Sequence, residues 1–142
     1  MQEKQNKKPY GFVLGLLAVI ALMHIGGFGL YLYWRLQNYD KVVHFLSGLW
    51  VAFACLYLVK RIFKKDLSRR KAFFIGIVLA LLVGIAWELF ELKYGITFWR
   101  ARGYTADTSG DVAFDIIGGL AGSFYYLYYF NNLKIWGQKN LS

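Results

Sequence analysis

The chain has 142 residues, 58% of them hydrophobic and 20% aromatic, with one proline and a formal charge of +9. A soluble domain of this length has no core large enough to hide that much apolar surface, so the solvent for the excess is lipid. The positive charge lies between long apolar runs, which reads as membrane topology and attraction to anionic headgroups rather than nucleic-acid binding.

A spanning helix needs about 20 mostly apolar residues. Four stretches meet that length, at about 10–34, 40–59, 71–92 and 111–133. The first follows a lysine-rich start and is too long for a signal-peptide core. It ends in Tyr31, Tyr33, Trp34 and Arg35, an interfacial anchor, and reads as a retained helix. The second is uncharged from Val42 to Val59 and contains His44, the third is uncharged from Ala72 to Trp87, and the fourth carries Asp115 as its single charge from Val112 to Leu133. The expected fold is all-α, a four-helix transmembrane bundle formed by one domain over 1–142.

Lysine and arginine orient it. Lys4, Lys7 and Lys8, the 60–71 connection, and Lys134 and Lys139 share one side. By the positive-inside rule that side is the cytoplasm, so both termini are expected inside a bacterial inner membrane. The 35–40 and 93–110 connections then face outward. Small residues four apart (Gly11 and Gly15; Gly48 and Ala52; Gly76, Ala80 and Gly84; Gly118 and Gly122) let helices approach closely in lipid. They serve the bundle, or contacts between subunits of a homo-oligomer. Membrane lipids are the other expected partner, and nucleic acid is not. Cys55, the single cysteine, lies in an apolar run, so no internal disulfide forms.

Six of the eight acids fall at the outward ends of the spans or in the second outer connection: Asp40, Glu88, Glu91, Asp107, Asp111 and Asp115. Asp40 and His44 are four apart, Glu88 and Glu91 three, Asp111 and Asp115 four, so each pair shares a helix face. Asp111 is also placed to cap the fourth helix. At ~1.5 Å per residue Glu88 lies about 25 Å along its helix from Lys71, inside a hydrocarbon layer about 30 Å thick. Ionisable groups at that depth face a bundle interior or a wet cavity. His24 reaches a similar level, where a hydrogen bond across helices is the plainer role for it. Trp87 reads as packing. Pairing with Arg100 and Arg102 would make the cluster structural.

If the cluster works chemically, Glu88, Glu91 and Asp115 are the candidate catalytic groups, and Asp40, His44 and Asp111 the candidate ligands. Carboxylates with one histidine suit a divalent metal. Crowded carboxylates also suit metal-free acid–base work. The substrate would then be a lipid or envelope precursor. A proton- or cation-coupled transporter subunit and a non-catalytic accessory or sensor protein are the alternatives.

Asp40-Lys41-Val42-Val43-His44-Phe45 resembles the D-K-x-x-H-F helix start of VanZ-like membrane proteins. Trp87-Glu88-Leu89-Phe90-Glu91 and Asp111-x-x-x-Asp115-x-x-Gly118-x-x-x-Gly122 resemble later parts of that pattern. Glu91 stands where glutamine is usual and Asp115 where asparagine is usual. Those departures resemble the uncharacterised inner-membrane family typified by YjdF, with its W-E-x-x-E motif. The resemblance implies the helical fold and marks Asp40, His44, Glu88, Glu91, Asp111 and Asp115, and it supplies no substrate.

Overall fold

The computed structural model describes residues 2–36, 38–64, 66–97 and 103–139. All regular structure among them is helical: α1 (Gln2–Gly29), α2 (Leu32–Arg35), α3 (Tyr39–Phe63), α4 (Arg69–Tyr94) and α5 (Tyr104–Lys139). Three segments are long and apolar enough to cross a membrane: Pro9–Gly29, Tyr39–Phe63 and Arg69–Tyr94. Their outward side chains are hydrocarbon, with Ile25 70%, Phe74 69% and Leu82 57% exposed. In water such exposure would be costly; in lipid it is the expected state. α5 is the longest helix but less apolar, because it carries Asp115, Gly118, Gly119, Gly122 and four tyrosines at 125, 126, 128 and 129.

The expected first span to 34 stops early. α1 ends at Gly29, and Tyr31 adopts a left-handed conformation (φ 58°) before the single turn of α2. The reason is local. Gly26, Gly27 and Gly29 weaken the helix, and the chain folds back so that the Tyr33 ring occupies the space beside Gly27. The 93–110 connection is also shorter than expected. α4 closes on Gly95 (φ 68°), whose N–H bonds to the Glu91 and Leu92 carbonyls, a left-handed cap that suits glycine. α5 then begins at Tyr104, so Asp111 lies two turns inside the helix and is not its cap.

α3, α4 and α5 pack against one another, while the α1 backbone approaches only α3 and α2. Close approach rests on glycine. A Cβ on Gly48 would strike the Asp115 backbone, one on Gly118 the Phe45 carbonyl, and one on Gly122 the Leu49 carbonyl. Gly76 faces Ser123 across α4 and α5 in the same way. A Cβ on Gly11 or Gly15 would meet nothing within 4 Å among the described residues, so within this chain the small-residue contact does not extend to α1. The contacts that hold α1 include the Trp50 indole N–H donating to the Val13 carbonyl at 2.8 Å and the Tyr39 hydroxyl donating to the Met23 carbonyl at 2.7 Å.

The apolar core lies toward the basic 60–71 connection. Phe53 and Leu56 are fully buried with Ala72 and Tyr126. Phe53 meets Phe12, Tyr125 and Tyr126 at ring separations of 4.8–6.3 Å. Lys60 closes that end, with its ammonium 2.8 Å from Asp66 and 4.0 Å from the Phe130 ring centre. The other end of the bundle is built from acids and histidine.

Candidate functional site

His44 is the centre of the polar end. It sits just over one turn into α3 and is 4% exposed. Its Nδ1 lies 2.8 Å from the Asp115 carboxylate of α5. Gly84 of α4 makes room for that carboxylate, since a Cβ there would collide with it. A carboxylate accepts, so Nδ1 carries the proton of this hydrogen bond and Asp115 fixes the ring.

His44 Nε2 faces the other way. It is buried without a hydrogen-bond partner, and lies 3.6 Å from both Asp40 Oδ1 and Glu88 Oε1. Those separations are too long for hydrogen bonds. Asp40, His44 and Asp111 each present a ligand atom, and the three atoms lie within 4.8 Å of one another. Shifts of under ~1 Å would bring them to the ~2.0–2.6 Å of zinc or calcium ligation.

The first turns of α5 pin the surroundings. Thr108 donates to Glu88 Oε2 at 2.8 Å. Lys41 bonds Asp107 at 3.0 Å and lies 3.6 Å from Asp111, whose Oδ1 is buried without a hydrogen bond of its own. Glu91 takes no part in the His44 group. It accepts from the Trp87 indole N–H at 2.9 Å, one turn back on α4. The sequence places all six acids at one end, five of them through helix-face pairs, but the structure divides them. Asp40 and Glu88 face His44 Nε2, Asp111 offers an oxygen within 4.8 Å of the Asp40 and His44 ligand atoms, Asp115 supports the ring from behind, and Glu91 and Asp107 lie to the side. Arg100 and Arg102 lie outside the described residues.

His24 of α1 approaches the same level, as expected, and has the plain role expected for it. Its Nδ1 is 2.6 Å from the Tyr33 hydroxyl. Burial raises the pKa of that hydroxyl well above its ordinary value, which keeps Tyr33 neutral. Trp87 does pack, against His24 (5.0 Å) and Phe90 (5.2 Å), and its indole N–H also holds Glu91. Thr108 and Tyr33 were not legible as site residues. Tyr33 reads in the sequence as an interfacial anchor of the first span and Thr108 as part of a connection, and the fold-back after Gly29 and the early start of α5 bring them to the site.

Two cavities adjoin this cluster. One of about 300 Å³ lies between α1, α3 and α4, lined mainly by hydrocarbon from residues such as Leu17, Ala21, Val51 and Val83, with His24, His44 and Trp87 also in its wall. The other, about 190 Å³ and more polar, is lined by Phe28, Tyr33, Trp34, Asp40, Glu91 and Thr97 among others.

Apolar helices long enough to span a bilayer, enclosing acids and a histidine at one end, define a membrane protein. The chain belongs to the family described as "Predicted membrane protein (DUF2238)", which matches residues 3–132. No curated protein and no solved structure matches it.

Proposed function

We propose that the protein is a membrane-embedded metal-binding protein, with one divalent cation held by Asp40, His44 and Asp111, and Glu88 at hand as a fourth donor. The observation that carries this reading is His44 Nε2: a buried nitrogen with no hydrogen bond, facing carboxylates, while Asp115 holds the proton on Nδ1. A carboxylate behind the ring and a free nitrogen in front is the arrangement of metal-bound histidines. Charge points the same way. Among the described residues, Lys41 and His44 are the basic groups within ion-pair distance of this cluster. Buried carboxylates need paired charge.

A cation there would polarise a substrate oxygen or activate bound water. Glu88, held by Thr108, is placed to take or return a proton, and Glu91 and Asp40 flank the polar cavity through which solutes reach the site. We infer a metal-dependent activity on a lipid or envelope precursor at the outer face of the inner membrane.

That placement requires α5 to be a fourth crossing with both termini cytoplasmic. Supporting it, Phe114, Ile117, Leu120, Phe124 and Tyr128 are all at least 36% exposed and run three or four apart, an apolar stripe along α5. The basic residues of the 60–71 connection support the orientation. The resemblance to the YjdF-type pattern at Asp40, His44, Glu88, Glu91, Asp111 and Asp115 fits the same site.

The test is the metal content of purified full-length protein after loading with zinc or manganese and desalting. One ion per chain is expected, lost in both His44→Gln and Asp111→Asn. Equal, negligible metal in all three proteins, each still folded, overturns the reading.

A further inference from the structure

The α1 backbone does not approach α4, although both flank α3. The space left between them is the cavity of about 300 Å³. Its lining residues on α1 run from Leu17 to His24, about 10 Å at ~1.5 Å per residue. Leu17 on one side and Val83 on the other are 41% and 47% exposed, so the rim faces outward between two helices apolar enough to sit in hydrocarbon. The wall is mostly hydrocarbon, with Ser47 along it, until it reaches His24, His44, Trp87 and, from α5, the Asp115 that backs the His44 ring.

Behind those three residues lies the polar cavity, and each has a partner on its far side. His24 meets Tyr33 at 2.6 Å, His44 meets Asp40 at 3.6 Å, and Trp87 meets Glu91 at 2.9 Å. Tyr33, Asp40 and Glu91 all line the second cavity. One partition of three polar pairs thus separates an apolar chamber within the spans from a polar chamber at their end, and the Asp40–His44 pair in it belongs to the proposed cation site.

We propose that the apolar chamber takes one hydrocarbon chain of a membrane lipid, entering sideways from the bilayer between α1 and α4, with its polar end at the His44 partition. This deepens the proposed metal site by naming its substrate class, an amphiphile with a chain in one chamber and a headgroup in the other. Water has little reason to fill a chamber of this lining, and a bilayer supplies hydrocarbon chains at its rim. A volume near 300 Å³ is at the lower end for ligand pockets and suits one chain rather than two.

The test uses full-length protein in vesicles of phosphatidylglycerol doped with the same lipid bearing a diazirine on one palmitoyl chain, with labelled peptides mapped after irradiation. Label is expected on Leu17, Ala21, Ser47 and Val83, suppressed by excess unlabelled lipid. Ala21→Trp, which fills the chamber, should abolish it while outward label on Phe74 persists; Ser47→Leu is the milder second variant. Metal content is read on the same samples. Chamber label with no bound metal leaves the chain proposal standing and removes the metal reading. Bound metal with label spread evenly over the outer faces, or label unchanged by both variants, overturns the chain proposal, as does cross-linking of a second copy's helix into the chamber.

Discussion

Gly48 of α3 lies so close to α5 that a Cβ on it would run into the backbone of Asp115. One turn earlier on α3, His44 receives the carboxylate of that same residue at 2.8 Å. The close helix crossing and the polar contact are therefore one arrangement, in which the glycine sets the distance that the hydrogen bond uses.

Gly48→Val should lower stability by about 1–3 kcal/mol, the usual result of forcing volume into a packed contact. Gly11→Ala, with nothing within 4 Å of the added carbon, should be neutral or stabilise by up to ~1 kcal/mol through helix propensity. Thermal unfolding of both variants in one detergent checks the contrast. Equal effects would mean that the α3–α5 approach has been misplaced.

Asp115→Asn keeps the size of the side chain but removes the charge that holds the His44 proton. Zinc affinity, measured by competition with a chelator, should fall about 10–100-fold without a matching loss of folded protein. An unchanged affinity would show that Asp115 does not orient a ligand.

Lys41 already neutralises part of the cluster, at 3.6 Å from Asp111. Lys41→Met should tighten divalent-cation binding by roughly the worth of a partly exposed ion pair, ~1 kcal/mol or about fivefold. Weaker binding in this variant would instead make Lys41 the group that aims Asp111.

Trp50→Phe removes the indole donor that reaches Val13 and should cost about 0.5–1.5 kcal/mol. Because the residues proposed to hold the metal lie on α3, α4 and α5, zinc content should not change. Joint loss of zinc and stability would place α1 within the ligand shell.

Much of the candidate cluster was legible in the sequence because helical spacing puts Asp40 with His44, Glu88 with Glu91, and Asp111 with Asp115 without knowledge of the fold. What spacing cannot give is the rotation of one helix against another. That rotation sends Asp115 behind the imidazole rather than in front of it, and turns Glu91 to Trp87. The fold was legible to the same depth. Apolar runs located the long helices, but hydrophobicity is silent about the break after Gly29, which follows from glycine content and the seating of the Tyr33 ring. The early start of α5 at Tyr104 was hidden because polar residues there read as connection until their partners on α3 and α4 are known.

The order of the chain has a biosynthetic consequence. Helices emerge from the ribosome in sequence, and α1 has no long neighbour until α3 arrives. Two of the three groups proposed to hold the cation, Asp40 and His44, are synthesised well before Asp111 and the supporting Asp115, which come only with α5. A nascent chain stopped before that helix would leave His44 without its anchoring carboxylate, so the proposed cation centre can assemble only once α5 has been made.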